Sequence, residues 1–406
     1  MSRVILHCDM NNFYASVECM LHPELRDKPL AVCGDSEERH GIVLAKNYLA
    51  KSCGIKTGDV VWEAMQKCKG LVTVKPHFDE YMKFSRLARS IYNRYTSAVE
   101  PFGLDECWLD VTDSAKTLDG GVRIANDIKE TVKRELGVTV SVGVSFNKIF
   151  AKLGSDLKKP DAVTLIPKEN FLSMIGDLPA SDMLGVGRKV RERLDTYCVE
   201  TIRDLASFSK TLLVKLFGKC GEMLWRNANG LDDSPVVARD VEVLDKSVGN
   251  GITAPYDLET SDEVWQLMLE LSQEVGHRLS VFGKSAGSVA IQIKDNLLNV
   301  KQWQIPLSEE TQSAYLIAKA AFELFNKNYR WDNPVRAVTV RAINLSSESE
   351  PSQMNMFKVT EETPRLDGRI DTTVEDIRER FGDGSIKNAV VLGKGLKKPP
   401  RGVLPK

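Results

Sequence analysis

Between Phe102 and Asp110 the chain reads Phe-Gly-Leu-Asp-Glu-Cys-Trp-Leu-Asp, which puts two adjacent carboxylates, Asp105 and Glu106, between two apolar, strand-prone arms. Consecutive residues of a regular strand face opposite ways. Both acids can therefore aim at one point only where the backbone bends, at the tip of a hairpin. A third carboxylate, Asp9, ends another apolar strand, Val4 to Cys8. Three acids with no matching set of histidines or cysteines suit a hard cation, Mg²⁺ or Mn²⁺, rather than zinc.

The surrounding pattern supplies a sheet for that hairpin. Asn11 to Met20 starts as a helix, and apolar runs follow at Pro29 to Cys33 and Gly41 to Ala50. Leu71 to Val74 reads as a strand. Phe78, Tyr81, Met82, Leu87, Ala88, Ile91 and Tyr95 then recur with helical period. Ala98 to Phe102 and Cys107 to Val111 are the hairpin arms. Val122 to Glu135 is an amphipathic helix, Val138 to Val144 a strand, Asn147 to Leu157 a helix, and Val163 to Ile166 a closing strand. This order gives a split β-α-β layout with a small block inserted after the first strand. The first strand and the hairpin are expected at the centre of one antiparallel sheet, with Asp9 and the hairpin tip sharing an edge.

At 406 residues the chain is too long for one core, and about two to four domains are expected. From Pro167 to about Pro235 the pattern is short helices. Leu184-Gly185-Val186-Gly187 lies between two of them, ahead of Arg188 and Lys189, a helix-hairpin-helix-like turn whose N–H groups can face a phosphate. From Val241 to Ser346 a second β-α-β-β-α-β unit follows, with a strand at Lys246 to Leu258, a helix at Ser261 to Phe282 capped by Ser261, strands at Ser285 to Lys294 and Val300 to Pro306, a helix at Glu309 to Asn328 and a strand at Val335 to Leu345. It lacks the acids, so it reads as a binding module. Lys246, Lys284, Lys294, Lys301, Arg336 and Arg341 fall on its strands and suggest a basic sheet face.

After a polar linker comes Gln353-Met354-Asn355-Met356-Phe357, then a capping box Thr372-x-x-Glu375 with an apolar stripe, Val374, Ile377 and Phe381. A flexible end from Lys394 to Lys406 holds five basic residues and no acids. The net charge of -1 decides nothing about a polyanionic partner, because steering depends on where charges sit. Eight cysteines with no C-x-x-C spacing fit a reduced, cytoplasmic protein, and no apolar run suits a signal peptide or a membrane span.

Several segments together resemble the Y-family, or translesion, DNA polymerases of the bacterial DinB/UmuC type. They are Asp9-Met10-Asn11-Asn12-Phe13-Tyr14-Ala15-Ser16-Val17-Glu18, Asn47-Tyr48-Leu49-Ala50-Lys51, Leu104-Asp105-Glu106, and Asn147-Lys148-x-x-Ala151-Lys152 through Lys158-Lys159-Pro160. The match runs in order over residues 1 to 345. The resemblance implies an α+β multidomain fold: a ferredoxin-like palm (1–10 and 77–166), inserted fingers (11–76), an all-α helix-hairpin-helix thumb (167–235), a little finger (241–346) and a tail (347–406). It also implies error-prone, template-directed DNA synthesis from deoxynucleoside triphosphates on primed template DNA, by a monomer without proofreading.

Carried over residue by residue, Asp9, Asp105 and Glu106 are the catalytic ligands of two Mg²⁺ ions, joined by the Met10 carbonyl. Tyr14 is the steric gate under the incoming sugar. Phe13, Tyr48, Lys51 and Lys159 meet the nucleotide. Gly185, Gly187, Arg188, Lys189, Lys246, Lys284, Arg336 and Arg341 are candidates for DNA contact. Gln353, Met356 and Phe357 match the peptide that binds the β sliding clamp. Ile42 and Leu44 are placed over the templating base. Four residues depart from the family pattern: Lys51 where Arg is frequent, Asn12 where an aromatic is common, Gly103 where Ser often precedes the acids, and Trp108 where Tyr is usual. Lys51 points to the UmuC side and Tyr48 to DinB. Two rival readings remain, a palm-type nucleotidyl cyclase and a non-catalytic clamp- and DNA-binding protein. The helix-hairpin-helix turn and the second module oppose the first, and the full set of acids and lysines opposes the second.

Overall fold

The computed structural model describes residues 3–34, 41–237 and 246–347, with 373–374, 376–377, 380–382 and 385–386 beyond them. The chain divides into two compact units, the first reaching Glu242 and the second built from Val243 onward. Gln353, Met356, Phe357, the capping box Thr372–Glu375 and the basic end all lie outside the described residues. Val374 and Ile377 stand in short helical pieces, and Phe381 is 75% exposed.

The first unit opens with strand β1 (Ile5–Met10) and helix α1 (Phe13–Leu21). The inserted block holds β2 (Leu30–Cys33), β3 (Val43–Lys46), α2 (Tyr48–Ser52), α3 (Val61–Lys67) and β4 (Val72–Val74), a three-stranded sheet in the order β3-β2-β4. Then come α4 (Phe78–Tyr92), the hairpin β5 (Val99–Phe102) and β6 (Glu106–Asp110), α5 (Thr112–Ala115), α6 (Leu118–Leu136), β7 (Val140–Ser145), α7 (Lys148–Leu157) and β8 (Val163–Ile166). The main sheet runs β5-β6-β1-β7-β8, which is the ferredoxin-like order with one strand added. β1 and β6 are interior, as expected, but the sheet is not wholly antiparallel. The added β8 pairs parallel to β7, because the crossover through α7 returns the chain in the same direction.

β1 is buried on both faces, and the two faces differ. Leu6, Cys8 and Met10 join Tyr81, Ala88, Ile91 and Tyr92 of α4 and Ala125, Ile128 and Val132 of α6 in the main core. Alternation puts Ile5, His7 and Asp9 on the opposite face, where α7 lies. α7 sits unusually close to the sheet at Gly143 of β7, where a Cβ would fall 1.9 Å from the Ala151 carbonyl oxygen. Only a glycine lets the helix settle there.

Five short helices follow: α8 (Phe171–Ile175), α9 (Arg188–Asp195), α10 (Ile202–Ser207), α11 (Lys210–Phe217) and α12 (Lys219–Ala228). Their core continues into α7 and β8 through Phe150, Leu153 and Ile166. The exit segment 234–237 is strapped to the sheet. Arg3 bonds the Ser234 carbonyl at 2.7 Å, Val237 N–H donates to Glu100 at 2.8 Å, and Val236 packs on Ile5, Trp108 and Ala151.

The second unit is β9 (Ser247–Leu258), α13 (Ser261–Val281), β10 (Lys284–Asp295), β11 (Val300–Thr311), α14 (Ala314–Asn328) and β12 (Val335–Ser347), with the sheet order β11-β10-β12-β9. Two boundaries correct the sequence reading. α13 is capped by Thr260, not Ser261, in a reciprocal box with Glu263. Residues Glu309 to Thr311 extend β11 instead of starting a helix, because Thr311 pairs with Ala286 past a bulge in β11, where residues 307–310 stand against Gly287.

Candidate active site

In the register of β1 and β6, Asp9 stands directly opposite Glu106, and directly opposed residues share a face. The hairpin turn then delivers Asp105. That turn is held from three sides: Met10 N–H donates to the Asp105 carbonyl at 3.1 Å, Arg89 donates to the Gly103 carbonyl at 2.9 Å, and the Ser85 hydroxyl donates to the Leu104 carbonyl. Gly103 has φ 84, a left-handed conformation that costs glycine nothing and Ser something. This accounts for one departure from the family pattern. A second, Asn12, sits at φ 48, where Asn is among the best-tolerated side chains.

α7 faces the acids with a stripe spaced three and four residues apart. Lys148, Lys152, Ser155 and, just past the helix end, Lys159 all point to this side. Lys159 Nζ is 2.6 Å from Asp9 and 2.8 Å from Asp156. Lys152 Nζ is 2.5 Å from Glu106. Lys148 holds Glu100 at 2.6 Å and lies 4.5 Å from the centre of the Trp108 ring. The Trp108 indole N–H donates to the Lys148 carbonyl at 2.9 Å, a bond to the helix backbone that accounts for Trp at this position. Buried His7 lies between the layers, with Nε2 3.3 Å from Glu106 and Nδ1 2.8 Å from Ser155 Oγ.

These contacts split the acids electrically. Burial pushes the Asp9 carboxyl up to about 7 against the pull of Lys159, and Glu106 and Asp105 add to the rise. Burial and the neighbouring Glu106 also raise Asp105. Burial would raise Glu106 too, but its bonds from His7 and Lys152 outweigh that and hold it down at about 2. Burial lowers His7 and so favours its neutral ring. Among the described residues the carboxylates are not drawn into a ready-made metal cage, because ammonium groups hold two of them.

Tyr14 is half-buried beside this edge. Burial raises its hydroxyl pKa, and the charge of Asp105 adds to the shift. Its ring stacks on Tyr81 with centroids 4.2 Å apart and 9° between planes, and meets Phe78 edge-on at 6.0 Å. Phe13 is only 4% exposed and packs in the core beside Tyr14, with ring centroids 5.6 Å apart. Tyr48 and Lys51 lie on α2, with Lys51 Nζ 5.7 Å from the Tyr48 ring centre, and Asn47 caps this helix at the Ala50 N–H. Lys159 electrostatically lowers Tyr48 against a larger rise from burial, so the two face the same space. Ile42 is 41% exposed and Leu44 half-buried.

In the short-helix region Gly185 has φ 97, and Gly187 caps α9, leaving Arg188 and Lys189 exposed on its first turn. The second unit corrects the expected basic face. Val289, Ile291, Ile293, Val338 and Val340 point to the helices. Across the other face run Gln304, Ala290, Arg341 and Gly249 in one row, and Gln302, Gln292, Thr339 and Gly251 in the next. Lys294 shares that open face. Lys301 has the parity of the core-facing Trp303 and Ile305 and reaches the Tyr329 ring at 5.8 Å, while Arg336 sits at a break in register. Lys246 precedes β9 and Lys284 opens β10. The open face is therefore mostly uncharged and small-residued, with Arg341 and Lys294 as its bases. Strand alternation separates bases that the sequence reading pooled.

His7, Lys152, Tyr81 and Glu18 were missing from the sequence-derived site. The spacing of Lys148, Lys152 and Lys159 was the available signal for the lysines. Lys152→Met should destabilise the metal-free protein by about 1.5–3 kcal/mol at neutral pH, the usual worth of a hydrogen bond to a charged group. Because the folded Glu106 pKa is depressed, this stability is present above the ordinary glutamate range and lost as pH falls through about 2. Denaturant unfolding of both proteins with chelator present, across acid pH, should show the difference closing. A gap that is constant with pH would contradict the pairing.

The family model described as the impB/mucB/samB family matches residues 8–156, its C-terminal domain model matches 245–356, and a DNA polymerase-iota thumb domain model matches 177–232. DNA polymerase IV of Acetivibrio thermocellus is 50% identical over 399 residues, spanning 98% of this chain and 100% of that protein. DNA polymerase IV 2 of Bacillus subtilis is 35% identical over 401 residues, spanning 96% and 95%. A solved Y-family DNA polymerase chimera of Dbh and Dpo4 superposes with a TM-score of 0.76 over 85% of this chain and 99% of that one, at 24% identity, which shows the fold. With full-length identity to DNA polymerases IV settling the subgroup, the chain belongs to the Y family of DNA polymerases, on its DinB side.

Proposed function

We propose that the acid edge formed by Asp9, Asp105 and Glu106 is the nucleotidyl-transfer centre of an error-prone, template-directed translesion DNA polymerase that extends a primer without proofreading. The observation that carries this is the register of β1 and β6, which sets Asp9 against Glu106 with Asp105 on the adjoining turn. The donor set suits a hard divalent cation: oxygen ligands only, two of them with carboxyls raised by burial and both paired acids already neutralised by ammonium groups. Asp9, Asp105, Glu106 and the Met10 carbonyl would hold two such ions, Mg²⁺ or Mn²⁺. When bound they supply activation of the primer 3′-hydroxyl and neutralisation of the departing pyrophosphate.

The chain's own residues do the rest. Lys159 and Lys152 neutralise Asp9 and Glu106 while the cations are absent, and each can turn to solvent or phosphate once its carboxylate is engaged. Tyr48, Lys51 and Lys159 border one space and can bind the triphosphate as point charges and a hydroxyl donor. The Tyr14 ring would lie under the incoming sugar and exclude a 2′-hydroxyl. The Gly185–Gly187 turn and the first turn of α9 offer N–H groups to a DNA phosphate. On the second unit, Gly249, Gly251 and Ala290 let a duplex backbone approach the sheet closely, with Arg341 and Lys294 beside it. We read residues 1–10 with 77–166 as palm, 11–76 as fingers, 167–235 as thumb and 241–346 as little finger. Among the described residues no helix is long and apolar enough to cross a membrane. We place the enzyme in the cytoplasm, working as a monomer tethered to a sliding clamp by Gln353, Met356 and Phe357. A cyclase would have no use for the duplex-facing elements.

Primer extension with Mg²⁺ and four deoxynucleotides tests this reading. Asp105→Asn and Glu106→Gln should each lower extension by about a hundred- to a thousandfold, as expected for loss of a group stabilising the developing charge, and leave DNA affinity within about threefold. Near-normal extension by either variant would remove that acid from the centre. Phe357→Ala should abolish stimulation by the clamp and leave unassisted synthesis unchanged. Undiminished stimulation would discard the tail assignment.

A further inference from the structure

The ring of Tyr14 rests on a device that the reaction itself does not require. Tyr14 and Glu18 are four residues apart on α1, and His77 and Tyr81 are four apart at the start of α4, so each pair lies along one helix face. The two faces meet at two levels. At the first, Tyr14 stacks on Tyr81. At the second, the Tyr81 hydroxyl donates to Glu18 Oε1, and His77 Nδ1 lies 3.0 and 3.1 Å from the two Glu18 oxygens.

Glu18 and Tyr81 are both fully buried, while the His77 side chain is 54% exposed. An isolated carboxylate would be expensive to bury. This one has two donors and stands at the N-terminus of α4, where the helix dipole favours negative charge. His77 occupies the N-cap position yet makes no side-chain cap to its own helix, its ring being turned onto Glu18. A phenylalanine at position 81 would stack on Tyr14 equally well. What the hydroxyl adds is a fixed in-plane position for the lower ring, and through the stack a fixed height for the upper one.

We propose that Glu18, with His77, is a positioning residue for sugar discrimination: it anchors the Tyr81 hydroxyl and so sets the plane of Tyr14 against the incoming ribose. The inference rests on the reading of Tyr14 as the gate. It differs from a purely structural role for the Glu18 cluster, which would change stability and leave the choice of sugar alone. Misplacement by a fraction of an ångström is enough to matter where a single oxygen is being excluded.

The test is single-nucleotide insertion opposite one template base, comparing kcat/KM for a deoxynucleotide and the matching ribonucleotide. The proteins compared are wild type, Tyr14→Ala, Tyr81→Phe, Glu18→Gln, His77→Ala and the double variant Tyr14→Ala/Tyr81→Phe, with melting temperatures alongside. Tyr81→Phe and Glu18→Gln should lower the deoxy-to-ribo preference roughly ten- to a hundredfold, the range of one lost hydrogen bond to a charged group. His77→Ala should lower it less, and deoxynucleotide insertion should stay within about threefold. Tyr14→Ala should lower the preference further, and Tyr81→Phe should add nothing to it, because the two act through one ring. If Tyr14→Ala collapses the preference while Tyr81→Phe leaves it within about twofold of wild type, the positioning role is overturned and the gate stands. If Tyr14→Ala leaves the preference unchanged, the gate reading fails and this inference with it. Should Glu18→Gln not fold, the Tyr81→Phe and His77→Ala ratios decide.

Discussion

The close seating of α7 on the acid-bearing face of the palm sheet is the constraint on which the rest of the first unit depends. Gly143 permits it, since any Cβ there would collide with the Ala151 carbonyl. Once the helix is down, its period lays Lys148 against Glu100 and Lys152 against Glu106, and its end lays Lys159 against Asp9. The same helix carries Phe150 and Leu153, which bind the short-helix region to the palm, and its Lys148 reaches the strap at the Pro235 carbonyl, 3.4 Å away. Catalytic edge and strap thus share one support.

Three acids on one sheet edge repel each other, and a fold that builds such an edge must neutralise it during every moment without a ligand. Here the neutralising charges come from side chains long enough to leave. The uneven result follows from who holds what: Glu106, less buried, bonded by Lys152 and faced by His7, is held low, whereas Asp9, deeper and with one lysine, is pushed up to about 7. That asymmetry makes Asp9 the acid whose state changes most when a divalent cation arrives. The second unit presents a different surface, a sheet face of Gly, Ala, Gln and Thr with Arg341 and Lys294 beside them, which suits the proposed close approach of the DNA backbone.

Much of this was legible in the residues. The adjacent acids pointed to a hairpin tip and the apolar run ending in Asp9 to a strand, and the split β-α-β order of elements led to the expectation that they share one edge. That order was readable in both units. What escaped had physical causes. Glu309 to Thr311 looked like a helix start because charged residues are good helix formers, but pairing with β10 across a bulge overrode propensity. The basic face was misread because the bases were counted along strands without assigning each to a side. Phe13 and Tyr14, adjacent in sequence, divide between core and cleft only because α1 turns about 100° per residue. Glu18 and His77 carried no signal at all, since their meeting depends on how α1 and α4 cross.

The central claim, that buried acids are held in readiness by α7 and its lysines, is tested most directly by calorimetric titration of Mg²⁺ into the metal-free protein, in buffers of differing ionisation heat. Binding near pH 7 should release protons, because Asp9 is partly protonated there. The release should fade about two pH units higher and be reduced in Asp9→Asn. Mg²⁺ binding near pH 7 with no proton release, or with a release unchanged in Asp9→Asn, would contradict the account.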